Sequence, residues 1–319
     1  MVQNGRIAFN GYVNNHARIY SRTLSGSDVD ELTGASRGSL SPSYSPDGLT
    51  IVYSQAVPDP DHPYNAPYYD IWAMNADGSN PRPLTTTPDA NEVEPTYSLD
   101  GSRIAYSMSD GSGIRVMNSD GTDQHQVTDD DSINEFAPEF SPDGTHIAVE
   151  AGSATSNADG IYVVDLVSGN VVQLTSVTGL AFNMYPTYSP DGATIAFSRK
   201  AMTPKGGVGR IYLMGSDGSN LHPITDEPQN TDVMTWSVDG TRLVFQAYDG
   251  PFNGFDTPPG AVPIRGESRR FRPAQVEQLR RERESRLAAA PRQELGRAHR
   301  ARTPDRRSFR PEPPAAEPD

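Results

Sequence analysis

The stretch TYSPDGATIAFS, residues 187–198, decides the fold because closely similar stretches recur four more times. The other copies are SYSPDGLTIVYS at 43–54, TYSLDGSRIAYS at 96–107, EFSPDGTHIAVE at 139–150 and TWSVDGTRLVFQ at 235–246. Their shared aspartates are 53, 43, 48 and 48 residues apart, at Asp47, Asp100, Asp143, Asp191 and Asp239. A repeat of this length is typical of a structural unit that stacks against copies of itself.

A second recurring module follows four of these copies and completes each unit. It lies at 70–85, 113–128, 160–175 and 210–225, and it ends in Leu-Thr, Val-Thr or Ile-Thr. Each unit predicts four short strands, A to D, because β-branched and aromatic residues alternate with small or polar ones. The N-terminal residues 5–33 fit strands B to D of a further unit that lacks strand A.

The Ser-Pro-Asp-Gly segment predicts the tight turn between strands A and B. Proline presets φ at the second turn position, aspartate suits the third, and glycine takes the left-handed conformation that closes the hairpin. A four-stranded unit that recurs every 43 to 53 residues is typical of a β-propeller blade. We therefore expect an all-β, six-bladed propeller with an incomplete last blade, since the repeat ends at a B strand near 242–246.

This pattern resembles the TolB-like (WD40-like) propeller repeat, which has the same Ser-Pro-Asp-Gly turn and an Asp-Gly-Ser-Asn…Leu-Thr ending. The resemblance covers about residues 4–250. It implies a non-catalytic scaffold that binds other proteins and is periplasmic or secreted. Because one fold serves many roles, the alternative is a propeller domain related to prolyl-oligopeptidase-type peptidases or to sugar lyases.

Charge divides the chain into an acidic propeller at residues 1–250 and an Arg/Ala/Pro-rich tail at 251–319. Residues 1–260 contain 12 Lys+Arg against 32 Asp+Glu, a net charge of −20. Residues 261–319 contain 15 Arg and 9 Asp+Glu, a net charge of +6. An acidic surface repels nucleic acid, so we expect no nucleic-acid partner for the propeller.

The tail is predicted to be mostly disordered, with one helix at 273–290 that Pro273 opens and Pro291 ends. Three explanations of the tail stay open. It is an arm for nucleic acid or an acidic partner, a linker-like extension, or the product of a changed reading frame in GC-rich coding sequence. The 15 basic residues at 261–319 include no lysine, which fits the third explanation.

The binding site is expected on one face of the propeller. In an antiparallel meander the A–B and C–D turns share one face, and the longer B–C and D–A connections share the other. Irregular loops on a rigid scaffold usually carry binding, so the channel mouth on this loop face is predicted to bind a protein, a small ligand or a cation. The candidate residues are Asn91, Glu92, Asn134, Glu135, Asn183, Asn230, Asp232, Tyr64, Tyr68 and Tyr69. The alternative for the polar residues is local capping of turns, and for the tyrosines it is packing on a blade edge.

Other motifs give no support for catalysis, and we expect no catalytic residue, metal or cofactor. The segment GASRG at 34–38 matches G-x-S-x-G but lacks the strand–helix context of a nucleophile. No histidine pair has the spacing of a zinc hydrolase. The chain has no cysteine, which excludes disulfides and thiolate metal sites.

The sequence leaves the compartment undecided. No apolar run is long enough to span a bilayer. The first residues, MVQNGRIAFNGYVNN, lack the charged start and apolar stretch of a signal peptide. The resemblance therefore favours the periplasm or secretion, while the cytoplasm stays an alternative.

Overall fold

The described residues of the computed structural model form six antiparallel sheets and no helix. The described ranges are 5–13, 16–23, 28–34, 38–58, 68–88, 90–128, 134–152, 159–177, 181–203, 206–225, 230–248 and 269–270. The all-β prediction is confirmed. The predicted helix at 273–290 lies outside the described residues, as does most of the tail.

The strands follow the chain order from one sheet to the next. The first sheet contains β1 (Arg6–Val13), β2 (His16–Thr23) and β3 (Val29–Glu31). The second contains β4 (Ser39–Tyr44), β5 (Thr50–Val57), β6 (Tyr68–Asn75) and β7 (Arg82–Pro83). The third contains β8 (Glu92–Tyr97), β9 (Arg103–Met108), β10 (Ile114–Asn118) and β11 (His125–Gln126).

The remaining three sheets continue the same meander. The fourth contains β12 (Asn134–Phe140), β13 (His146–Gly152), β14 (Gly160–Asp165) and β15 (Val171–Gln173). The fifth contains β16 (Ala181–Tyr188), β17 (Thr194–Thr203), β18 (Gly206–Gly215) and β19 (His222–Pro223). The sixth contains β20 (Asn230–Trp236), β21 (Arg242–Tyr248) and β22 (Arg269–Arg270). The short β22 comes from the tail and was not anticipated from the sequence.

Apolar side chains pack mainly between consecutive sheets. At the junction of the second and third sheets, Val52 and Ile71 pack with Tyr97, Ile104 and Tyr106. Comparable clusters occupy the other four junctions from the first sheet to the sixth. In each cluster the aromatic residue of an A strand packs on the preceding sheet, and these residues are Tyr44, Tyr97, Phe140, Tyr188 and Trp236. Burial between sheets is therefore the main apolar contribution to stability.

The predicted Asp-Gly turns are confirmed. In the turn after β4, Gly48 has a φ of 72° and its N–H donates to the Ser45 carbonyl at 2.9 Å. The Asp47 carboxylate accepts from the Ser45 hydroxyl at 2.6 Å and from the Leu49 N–H at 2.9 Å. The Leu49 carbonyl accepts from the Ala76 N–H at 2.9 Å, which joins the A–B turn to the C–D turn. Both turn types therefore share one face, named here the turn face.

Each A strand contains a β-bulge. The register of β8 against β9 shifts between Val93 and Thr96, and equivalent shifts occur in β4, β12, β16 and β20. The bulged residue has a positive φ and precedes a proline in four strands, at Ser41, Glu94, Ala137 and Tyr185. A non-glycine residue in this region is uncommon, and the bulge redirects the side chains that follow.

In the part of the chain that the structure describes, no helix has the length and apolar character needed to cross a bilayer.

Candidate functional site

All six sheets border one open cavity of about 240 Å³ at the centre of the molecule. The A strands β4, β8, β12, β16 and β20 provide most of its wall, and β1 and β21 provide the rest. In three of these strands the bulged residue is followed by a proline and then by a serine or threonine, so proline rings and hydroxyl groups lie side by side along the wall. The cavity is the channel of the propeller.

Two carboxylates face this channel. Glu94 lies at the bulge of β8, where its backbone φ is 56°, and Glu139 lies after the bulge of the neighbouring β12. The Glu94 backbone N–H is held by the Ser54 hydroxyl at 3.2 Å. The bulges therefore place both side chains among the channel-lining residues.

Hydrogen bonds to adjacent sheets fix both carboxylates. Glu94 Oε2 accepts from the backbone N–H of Ala137 at 2.8 Å. Glu139 Oε2 accepts from the Thr96 hydroxyl at 3.1 Å, and Glu139 Oε1 accepts from the Thr187 hydroxyl at 3.4 Å. Glu139 therefore connects the A strands of the third, fourth and fifth sheets. Such preorganised oxygens are suited to a cationic group.

The channel environment makes ionisation of these carboxylates less favourable. Desolvation raises the pKa of Glu94, although the Ala137 N–H opposes this shift. Desolvation likewise raises the pKa of Glu139, and the positive charge of the chain's N-terminus, followed by the hydroxyls of Thr96 and Thr187, opposes this shift. Within the described ranges, neither carboxylate forms a salt bridge with a lysine or arginine side chain. A cation in the channel would stabilise the ionised form of both groups.

Three of the sequence-predicted residues form buried links between sheets. The Thr85 hydroxyl accepts from the Ile71 N–H at 2.9 Å and donates to Glu92. In the next repeat, Thr128 bonds in the same way to the Ile114 N–H and to Glu135. One repeat further, the Asn183 side chain donates to the Thr175 hydroxyl at 2.8 Å. Glu92, Glu135 and Asn183 are each at most 3% exposed, so they join one sheet to the next.

The other predicted residues occupy less buried positions. Asn91 Oδ1 accepts from the Tyr69 backbone N–H at 3.0 Å, which links β6 to the connection before β8. Tyr68 and Tyr69 are half-buried at the start of β6, and Asn134 is exposed at the start of β12. Asn230 and Asp232 lie in the first half of β20, at positions where only the backbone is described, and Tyr64 lies outside the described residues. Contact of any of these residues with a partner stays a prediction.

Asp70 is an unusual buried carboxyl close to these links. It is 7% exposed at the start of β6, where the third and fourth sheets have Gly113 and Gly160. Burial, followed by the charge of Glu92, raises its pKa to about 6, and the Thr87 N–H partly opposes this. Perturbed carboxyls of this type occur both in structural networks and in functional sites. The described residues contain no group of three or more acidic or histidine side chains arranged for a metal.

Glu94 and Glu139 were not among the sequence-predicted site residues, although the repeat contains a signal for them. Four A strands share the pattern x-Pro-x-aromatic, and Glu94 and Glu139 lie directly before and after the proline of their repeats. Proline restricts the residue before it, so this pattern marks a special backbone position. The two side chains line the same channel because successive sheets pack around a common centre, and this arrangement is not visible in any single repeat.

Comparison with known proteins identifies relatives of this architecture. Residues 59–255 match the family model of the TolB beta propeller domain. Dipeptidyl-peptidase 5 of Porphyromonas gingivalis is 39% identical over 72 residues, which are 23% of this chain and 10% of that protein. The chain thus matches about a tenth of the length of this curated relative.

Solved structures share the fold at lower identity. TolB from Acinetobacter baumannii aligns with a TM-score of 0.55 at 20% identity, covering 70% of this chain and 52% of that one. An oligogalacturonate lyase from Vibrio parahaemolyticus aligns with a TM-score of 0.51 at 15% identity, covering 78% and 67%. At these identities the likeness concerns the fold alone.

Proposed function

This chain belongs to the TolB beta-propeller domain family, and we propose that it is a non-catalytic scaffold that binds a partner protein or small ligand at the loop-face mouth of its channel. The channel then receives a cationic group of that partner, such as a lysine or arginine side chain or a protonated amine. Residues around the mouth, including Asn91, Asn134, Tyr68 and Tyr69, supply the surrounding contacts.

The single observation that carries this proposal is the pair of carboxylates, Glu94 and Glu139, held by hydrogen bonds at the wall of an open cavity. Burying a charge is costly unless it is paired, so a cation recovers part of the cost that burial imposes on both groups. The net charge of −20 over residues 1–260 also favours the approach of a cationic partner.

The proposal is tested with a fluorescein-labelled tetralysine peptide and the full-length chain. Anisotropy is measured at physiological salt, where surface charges are screened beyond about 8 Å. We expect saturable binding that weakens at least about tenfold, or about 1.4 kcal/mol, in the double variant Glu94→Gln/Glu139→Gln. Affinity should also fall as the pH is lowered, because the raised pKa of both carboxyls makes them protonate early.

A matched control removes the same charge from the turn face. Asp77 and Asp120 are exposed C–D turn residues, and the hydrogen bonds of their carboxylates to described residues lie within their own turns. Asp77→Asn/Asp120→Asn should bind tetralysine like the unmodified chain. Equal losses in the two double variants would show general charge attraction and would overturn the channel site.

A second candidate is a propeller domain related to peptidases or to sugar lyases. The match to a dipeptidyl-peptidase over 72 residues and the fold likeness to an oligogalacturonate lyase favour it. Incubation with dipeptidyl p-nitroanilides, and separately with oligogalacturonate and Mn²⁺, distinguishes the classes. We expect no turnover, and release of product that disappears in a channel variant would replace the binding proposal.

Two finer points belong to the same proposal. We take the six sheets as the blades of one six-bladed ring in which the last blade is incomplete. We place the protein in the periplasm or outside the cell, on the strength of its family. Fractionation of cells that express the native gene, followed by immunoblotting, tests the location.

A further inference from the structure

The first sheet presents apolar residues that its counterparts bury. β1 begins Arg-Ile-Ala-Phe, and at the same repeat positions β9 has Arg-Ile-Ala-Tyr. Ile104 and Tyr106 of β9 are 0% exposed. Ile7 and Phe9 of β1 remain partly exposed and line the central cavity. One apolar side of β1 therefore lacks the cover that the same side has in β9.

The sixth sheet lines the same cavity on the other side of β1. Val244 of β21 holds the repeat position of Val52 in β5 and Ala105 in β9, which are both 0% exposed. Val244 is partly exposed and lines the same cavity as Ile7 and Phe9. Among the described residues, no apolar cluster and no extensive packing joins the sixth sheet to the first.

The five closed junctions show what fills this space elsewhere. In each one, an A strand pairs with its B strand and inserts an aromatic ring against the preceding sheet. Tyr97, for example, packs with Val52 and Ile104, and its hydroxyl lies 3.2 Å from the Thr50 hydroxyl. In the first sheet the order is β1-β2-β3, so the channel edge of β1 has no paired strand among the described residues.

We propose that an extended segment of a partner protein adds to the channel-facing edge of β1, in the position of an A strand, and inserts an aromatic side chain between Phe9 and Val244. Strand addition at an open edge obtains affinity from main-chain hydrogen bonds and specificity from side-chain pockets. The partner segment has the chemistry of the A strands in this chain, with an aromatic residue two positions after a proline. This site goes beyond the proposed function because it does not use Glu94 or Glu139.

The test uses a peptide that copies an A strand of this chain. The peptide NMYPTYS reproduces residues 183–189, and its matched control carries the Tyr188→Ala change. With the full-length chain, fluorescence anisotropy should show binding that is at least about tenfold weaker for the control peptide, since a buried aromatic contributes more than about 1.4 kcal/mol. Hydrogen exchange should slow at backbone amides of β1 when NMYPTYS is added.

Protein variants locate the site. Val244→Asp should weaken NMYPTYS binding about tenfold, because it places a charge where the ring packs. Val238→Asp in the same sheet is the control, since Val238 is 70% exposed on the turn face. Binding of tetralysine and binding of NMYPTYS are measured separately, and the Tyr188→Ala change in the peptide leaves Glu94 and Glu139 untouched, so failure of strand addition and failure of the channel site are distinguishable.

Three results would overturn the proposal. The first is that the control peptide binds as tightly as NMYPTYS. The second is that protection from hydrogen exchange appears at an outer strand such as β15 instead of β1. The third is that β1 amides are already protected in the chain alone, which would show that its own residues cover the edge. Because the peptide comparison leaves the protein unchanged, it holds even if Val244→Asp fails to fold.

Discussion

The first and third sheets contain nearly the same B strand, Arg-Ile-Ala-Phe in β1 and Arg-Ile-Ala-Tyr in β9, in different surroundings. In the third sheet, β8 pairs with β9 and the second sheet covers its apolar side, so Ile104 is completely buried. In the first sheet, β1 borders the cavity and Ile7 stays partly exposed. The difference shows that the burial of a propeller strand depends on the strands and sheets beside it as well as on its own sequence.

The largest expected effect tests this difference directly. Ile104→Ala should lower the free energy of unfolding by about 3 kcal/mol, because it removes a fully buried side chain and leaves a cavity. Ile7→Ala should lower it by only about 1 kcal/mol, because part of that side chain already contacts solvent. Urea unfolding followed by tryptophan fluorescence measures both. Equal losses would mean that β1 is covered in solution.

The second effect concerns the threonine at the end of each unit. Thr128→Val should cost about 2 kcal/mol, since it leaves the Ile114 N–H unsatisfied and removes the donor to buried Glu135. Thr33 accepts from the Ile19 N–H at 2.9 Å and donates to no buried carboxylate among the described residues, so Thr33→Val in the first sheet should cost about 1 kcal/mol. The same urea titrations compare them. A loss at Thr33 as large as that at Thr128 would contradict the role given to Glu135.

The third effect concerns Asp70, a buried carboxyl of the second sheet. Its pKa of about 6 lies above the usual 3.8, so its ionisation in the folded protein opposes stability as the pH rises from about 4 through about 6. Asp70→Asn should therefore raise the free energy of unfolding by about 1–2 kcal/mol at pH 7.5 and by little at pH 4. Thermal unfolding across this pH range measures the change. A stabilisation of the same size at pH 4 would show that charge is not the cause.

The smallest effect concerns the aspartates of the A–B turns, whose contribution to stability should be the same in the third and fourth sheets. Hydrogen bonds from Ser98 and Ser141 lower the pKa of Asp100 and Asp143, respectively, to about 2. Their contribution is present above the unfolded pKa and is lost as the pH falls toward 2. Asp100→Asn and Asp143→Asn should each cost about 0.5 kcal/mol at pH 7. Unequal losses in the thermal unfolding of the two variants would show that the turns depend on contacts beyond their own hairpins.

Local features were readily predicted from the sequence. The Ser-Pro-Asp-Gly turn at 45–48 and the strands on either side of it follow from residues close together in the chain. Glu92, Glu135 and Asn183 were also predicted from the sequence, as a recurring polar set. Their hydrogen bonds to Thr85, Thr128 and Thr175 were not, because each of these bonds joins the end of one sheet to the start of the next.

The amino-acid sequence alone determined the repeat, the strand order within each unit and the position of the turns, because these depend on backbone preferences and contacts within a few residues. Only the tertiary structure decided that Glu94 and Glu139 line one channel and that, among the described residues, β1 has no paired strand on its channel side. Both outcomes depend on how successive sheets pack around a common centre, a long-range arrangement that no single repeat encodes.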